Sequence, residues 1–265
     1  MYAFEYKRPA NAADASSAAA GSDARFLAGG QSLIQAMKLR LSQSATLVDL
    51  GALADLKTIK MDGANVVIGA MVTHAAVGLS AEVRSANPAL AELAAGIGDP
   101  MVRNMGTIGG SIANADPAAC YPTAVLALNA SIHTNQRTIP ADVFFTGLYE
   151  TALQPGEIIT AVSFPPAQKA AYVKYRQPAS RFALVGVFVA QTAAGVRVAV
   201  TGAKGNVFRA TEIEAALAKS FTPEAAKGVK MPTADINSDM HGSAEYRAAM
   251  ISVMASRAVA AALAR

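Results

Sequence analysis

The chain contains a single cysteine, Cys120, in 265 residues. That excludes an intrachain disulfide and any iron–sulfur cluster ligated wholly by this chain, since such a cluster ordinarily takes four thiolates. Histidine is almost as scarce, and His74, His133 and His241 stand far apart with no pair at a metal-ligand interval. Also missing are G-x-G-x-x-G, G-x-x-x-x-G-K-[ST], H-E-x-x-H and G-x-S-x-G, so a hydrolase or zinc enzyme is poorly supported. Charged residues make up only 16% against 52% apolar, far from the composition of a disordered chain. The net charge of +4 is scattered rather than gathered into basic runs, which leaves no footprint for nucleic acid. The N-terminal residues Met1 to Pro9 lack the apolar core of a signal peptide, Lys7-Arg8 is not a twin arginine, and no run of about 20 apolar residues occurs. A soluble, cytoplasmic globular protein without a membrane span is expected.

What the chain does have is two tandem-glycine segments. The first is Leu27-Ala28-Gly29-Gly30-Gln31-Ser32-Leu33; the second is Gly106-Thr107-Ile108-Gly109-Gly110-Ser111, running on to Pro117. Glycine pairs followed by short polar residues can turn backbone N–H groups outward with no Cβ in the way, as a pyrophosphate requires. A single Gly-Gly pair is most often only a tight turn. Two of them, each between extended and helical stretches, point to a phosphorylated ligand of dinucleotide type gripped from both sides.

The surrounding pattern is mixed α and β. A helix is expected over Ala12 to Ala20, ahead of Gly21-Ser22-Asp23, then a strand from Arg25 to Ala28 and a helix capped by Ser32 and reaching about Leu41. A strand at Thr46 to Leu50 completes a βαβ-like unit ending near Leu56. A second region opens with the β-branched run Val66 to Val72 and contains helices after Thr73 and at Pro88, the second glycine loop, and a strand over Gly156 to Val162. Pro165-Pro166 marks a boundary. Beyond it, Phe182 to Gln191 and Val196 to Thr201 read as a β-hairpin, Thr211 with Glu214 as a capping box, and Tyr246, Met250, Val253 and Met254 as the core stripe of a terminal helix.

Ordered motifs extend the two glycine segments: I-G-D-P-x-V-R-N at Ile97 to Asn104, N-A-D-P-A-A at Asn114 to Ala119, F-F-T-G at Phe144 to Gly147, P-G-E-I-I at Pro155 to Ile159, and Tyr172-Val173-Lys174. With A-G-G-Q-S at Ala28 to Ser32 and T-I-G-G-S at Thr107 to Ser111, this series resembles the FAD-binding medium subunits of the molybdenum hydroxylases, the xanthine dehydrogenase and carbon monoxide dehydrogenase family. The resemblance implies an α+β fold: a two-lobed PCMH-type FAD-binding domain over residues 1–165, with lobes of about 1–56 and 57–165, then a small C-terminal domain of antiparallel sheet and helices over 170–265. It implies that the Ala28 to Leu33 and Thr107 to Ser111 amides receive FAD, with the Ser32 and Thr107 hydroxyls assisting. Ile97 and Ile159 would lie at the flavin, Lys174 would reach the cofactor, and Phe182 would either pack on the ring or serve as a core aromatic. Cys120 stands where relatives often carry Asp, so a carboxylate contact to FAD is missing there; otherwise it reads as a small buried residue. Gln31 in place of a frequent His implies non-covalent FAD. The partners implied are a large subunit holding the molybdenum cofactor and a small subunit holding [2Fe-2S] clusters, in a heterotrimer or its dimer. The role would be electron relay from those clusters through FAD to an external acceptor. A non-redox nucleotide-binding module and a self-contained flavin oxidoreductase are the alternatives.

Overall fold

The computed structural model describes residues 1–21 and 23–265; of the Gly21-Ser22-Asp23 turn, Ser22 lies outside the described residues. Three short strands, Glu5–Lys7, Ala24–Leu27 and Thr46–Asp49, form a parallel sheet with Thr46–Asp49 in the centre. The helices Ala12–Ala18 and Leu33–Lys38 are the crossovers that parallel pairing demands. Asn11 caps the first, its side chain accepting from the Asp14 amide. Ser32 is the N-cap of the second, as expected, but its side chain makes no cap bond; just ahead of it Gly30, at φ +71°, accepts from the Ile34 amide at 3.3 Å through its carbonyl. Ala15, Ala19, Val48, Leu50, Leu53 and Leu56 fill this lobe, and Met71 and Ile158 enter its core from the next one.

The second lobe is a five-stranded antiparallel sheet in the order Ile59–Asp62, Asn65–Gly69, Ile159–Phe164, Ser131–Thr134, Thr138–Pro140. Its core draws Val66, Ile68, Val162 and Phe164 from the strands and Leu90, Leu93, Ile108, Ile112 and Tyr121 from the helices. The turn into Ile159–Phe164 is fixed by Glu157, whose carboxylate is buried and accepts from Arg137 Nε at 2.9 Å, Thr134 Oγ1 at 2.8 Å and the Gln154 amide at 2.8 Å. Next to it, Ser16 Oγ donates to the Gly156 carbonyl at 2.6 Å, which joins the two lobes.

The third sheet, Lys169–Arg176, Ala183–Thr192, Gly195–Thr201 and Phe208–Arg209, is antiparallel in chain order. The expected hairpin is present, starting at Ala183 rather than Phe182. Its apolarity has a cause. Val185, Val187 and Val189 face a core built with Ile213, Leu217, Ile251, Met254 and Ala255, while Phe188 and Ala190 on the opposite side belong to the core of the second lobe. A strand buried on both faces reads as a continuous apolar run rather than an alternating one.

Two local expectations fail here. The capping box does not form: Ala210 is the N-cap of the helix Thr211–Lys219, and Glu214 turns away to accept from the Val198 amide at 2.8 Å and from Arg209. The terminal helix Ala244–Leu263 buries Ala248, Ile251, Ala255, Ala258, Val259 and Ala262, and of the expected stripe only Met254 is fully in the core. Alanines dominate because they let the helix lie close on the sheet; Tyr246 sits at the exposed margin.

The hydrogen bond from Arg137, together with those from Gln154 and Thr134, holds the Glu157 carboxyl below its usual range. A carboxylate held low in the folded state stabilises it above the ordinary carboxylate pKa, and that contribution is lost as pH falls through the depressed value. Glu157→Gln is therefore expected to lower stability by about 1–3 kcal/mol at neutral pH and to flatten its acid dependence below about pH 4.5, measured by urea unfolding at several pH values.

Candidate functional site

The first glycine segment leaves the strand Ala24–Leu27 and enters the helix Leu33–Lys38. Among the described residues, none of the backbone amides of Ala28, Gly29, Gly30, Gln31 and Ser32 donates to a protein acceptor. Gln31 Nε2 donates back to the Gly29 carbonyl at 3.3 Å, bracing the turn from its side chain. The Ser32 hydroxyl is exposed and makes no hydrogen bond. A run of amides without partners is the arrangement that accepts an anion.

The second segment differs from its expected form. The expected loop is a helix, Ile108–Asn114, with Gly109 and Gly110 in its first turn and Thr107 as N-cap. Its amides are largely committed: Ile108 donates to the Val72 carbonyl, Gly109 to the Ala70 carbonyl at 2.8 Å, Gly110 to Thr107 Oγ1 at 3.1 Å and Ser111 to the Thr107 carbonyl. The role expected for the Ile108 to Ser111 amides as ligand donors is corrected accordingly; the Thr107 amide and the Thr107 and Ser111 hydroxyls remain. The glycines serve close approach instead. A Cβ on Gly109 would stand 2.5 Å from Ala70 Cβ, so the helix can seat on the end of the strand Asn65–Gly69 only without one.

The two segments meet. A Cβ on Gly29 would lie 2.0 Å from the Met105 carbonyl oxygen and 2.8 Å from Gly106 Cα, and one on Gly110 would lie 3.3 Å from Ala28 Cβ. The backbone of the first lobe thus touches that of the second at the point where each carries glycine. Behind Gly106 stands His74, fully in the core, whose amide donates to the Gly106 carbonyl at 2.9 Å. Sequence reasoning left His74 as an ordinary histidine; only its position after Thr73, the N-cap of the helix His74–Leu79, hints at a fixed place. Burial, aided by the nearby Arg103 charge, lowers its pKa to about 4.

The other expected positions divide. Ile97 is half-buried against the second core, and its carbonyl accepts from Arg103 Nη1 at 3.0 Å, tying it to the helix Pro100–Met105 that leads into Gly106. Ile159 is buried in the central strand, next to Thr160, whose carbonyl receives the Ala70 amide. Leu27 and Leu33 flank the first turn, half-buried. Cys120 and Lys174 are brought together, Lys174 Nζ donating to Cys120 Sγ at 3.3 Å. Phe182 is half-exposed rather than a core aromatic, and with Asp116, Pro117 and Ala118 it lines a cleft of about 490 Å³ beside the end of the second glycine helix.

These residues suit FAD: a run of amides with no internal acceptor, at a place where glycines let the backbones of the two segments meet. The family model for the FAD binding domain in molybdopterin dehydrogenase matches residues 2–167. The chain belongs to the FAD-binding medium subunits of the molybdenum hydroxylases. Across 280 aligned residues it is 35% identical to the carbon monoxide dehydrogenase medium chain of Hydrogenophaga pseudoflava, covering 99% of this chain and 98% of that one. It is 36% identical to the nicotine 6-hydroxylase medium subunit of Paenarthrobacter nicotinovorans, with the same coverage. A solved structure of the Hydrogenophaga pseudoflava carbon monoxide dehydrogenase, lacking the Mo-pyranopterin moiety of its molybdenum cofactor, superposes with a TM-score of 0.90 over 99% of this chain and 98% of that chain, at 36% identity. This medium subunit is accordingly an oxidoreductase component of mixed α and β fold. Among the described residues, no helix is long and apolar enough to cross a membrane.

Gly29→Ala should cost this medium subunit at least tenfold in FAD affinity and about 1–3 kcal/mol in stability, because its Cβ would run into the Met105–Gly106 backbone. Gly21→Ala, with open space around it, is the control that should do neither; fluorescence titration and thermal unfolding read both. For His74 the unfolded chain takes a proton near pH 6.5 while the folded site refuses it until about 4, so stability should fall by about 2–3 kcal/mol across that interval. His74→Phe should remove that slope in unfolding measurements.

Proposed function

We propose that this subunit relays electrons, receiving them from iron–sulfur clusters on a small partner subunit and delivering them through non-covalent FAD to an external acceptor, while a large partner holds the molybdenum cofactor. The observation that carries this reading is the junction of the two glycine segments, with its run of unpaired amides from Ala28 to Ser32, in a chain aligned end to end with medium subunits. Bound FAD supplies the redox chemistry. The tasks of the chain are to bind, orient and tune it.

The amides of Ala28 to Ser32 face the pyrophosphate and Leu33 closes that turn, with the Thr107 and Ser111 hydroxyls opposite. Gly29, Gly30, Gly109 and Gly110 permit the approach, and Leu27 and Ile108 wall it. Ile97 and Ile159 offer apolar surface to the ring, Phe182 covers it from the cleft side, and Lys174 with Cys120 supplies the polar edge. Residues 1–165 carry the cradle, and residues 170–265 close it. A single cysteine cannot hold a cluster by itself, which supports clusters carried by another chain. The two relatives bear the names of different substrates, carbon monoxide and nicotine, yet match this chain equally well. Similarity indifferent to substrate supports a subunit that does not touch it.

Purified in full length, the protein should be yellow and release FAD on denaturation, and it should co-purify with a large molybdenum subunit and a cysteine-rich small one. A colourless protein that takes up no flavin on reconstitution refutes the reading. So does an assembled complex in which bound FAD is not reduced when substrate is supplied.

A further inference from the structure

Lys174 lies on the strand Lys169–Arg176, on the side that faces the second lobe. Among the described residues, its ammonium makes one side-chain hydrogen bond, to Cys120 Sγ at 3.3 Å, and takes part in no ion pair. The group opposite this cation is therefore a free thiol, where a carboxylate would cancel it. Two phenols complete the surroundings. The Tyr121 side chain is fully buried beside Cys120, and the Tyr172 hydroxyl fills the space a Cβ on Gly186 would need, 2.5 Å from it. The Tyr121 hydroxyl has no hydrogen-bond partner in the protein, and the Tyr172 hydroxyl approaches only the Cys120 thiol, without a well-formed bond. Buried polar atoms left open in this way ordinarily mark a place completed by a ligand or water.

The cluster is continuous with the cradle. The Tyr121 ring packs on His74, ring centroids 5.3 Å apart, and His74 holds the carbonyl of Gly106, the residue whose Cα and preceding Met105 carbonyl face Gly29. The segment Pro117 to Cys120 is fastened from the other side, Thr201 Oγ1 donating to the Pro117 and Ala119 carbonyls. The ammonium is thus carried by the third sheet and the thiol by a segment that Thr201 fastens to that same sheet, so the two cannot drift apart independently.

We propose that Cys120 leaves the Lys174 charge uncompensated, that this charge acts on the flavin ring, and that the site consequently holds reduced FAD more tightly than oxidised FAD. The inference rests on the FAD reading above. An ammonium paired with a carboxylate presents only a dipole to a third group, whereas one facing a thiol presents its full charge, and a partly desolvated setting strengthens that field. Cys120 is here a positioning residue that acts through Lys174.

The test uses the full-length protein loaded with FAD, its reduction potential read at the flavin absorbance by equilibration with a reference dye, and its FAD affinity read by fluorescence. Cys120→Asp and Lys174→Gln should each shift the reduced-to-oxidised equilibrium about tenfold toward oxidised FAD, a fall of about 30 mV for a two-electron couple. Cys120→Ser, which keeps a neutral group beside the ammonium, should leave the potential where it was. An unchanged potential in Lys174→Gln with FAD bound overturns the proposal. So does a loss of FAD affinity without a change of potential, since the charge would then act on the pyrophosphate in both redox states. If Cys120→Asp does not fold, Lys174→Gln and Cys120→Ser decide between them. A wild-type chain that binds no FAD refutes the earlier reading instead.

Discussion

Everything at the candidate site depends on one backbone contact: Gly29 against the carbonyl of Met105 and the Cα of Gly106. Backbone can meet backbone at that distance only where side chains are absent, and both lobes supply glycine at the meeting point. The contact fixes how far the amides from Ala28 to Ser32 stand from Thr107 and Ser111. His74 backs one side of it, and the bond from Ser16 to the Gly156 carbonyl ties the lobes together elsewhere. The width of the cradle is thereby set by the fold.

The two halves of that cradle are not equivalent. The first segment holds its amides open, while the second commits most of its own to helix capping and to the strand ends at Ala70 and Val72. A helix in this position needs glycine for seating rather than for exposed donors. One side therefore leaves backbone donors open and the other mainly hydroxyls, an asymmetry that a symmetric two-loop clamp would not have.

Much of this was legible in the sequence. The motif series from Ala28 to Lys174 indicated the family and its mixed fold, and the β-branched runs located most strands. The helix Ile108–Asn114 was not legible, because two glycines in its first turn cost about 1 kcal/mol each in helix propensity. The Thr107 cap and the packing of Gly109 on Ala70 override that local preference. Glu214 followed a capping pattern but answers to Arg209 and Val198, partners that only the sheet brings near. The core face of the terminal helix was obscured by alanine, whose burial depends on how closely a helix lies on its sheet. Nor could a sequence show Lys174 and Cys120 in contact, since their meeting requires the helix Tyr121–Ala127 to be docked on the third sheet.

The strand Ala183–Thr192 divides its side chains between two cores, Val185, Val187 and Val189 on one side and Phe188 and Ala190 on the other. It is in effect a party wall, owned by two rooms. A chain ending at the Pro165-Pro166 boundary would leave one room open, its apolar lining turned to water and ready to adhere to any similar surface. The proline boundary is thus a seam in the sequence but not in the packing, since the cradle-bearing lobes and the C-terminal layer share one wall.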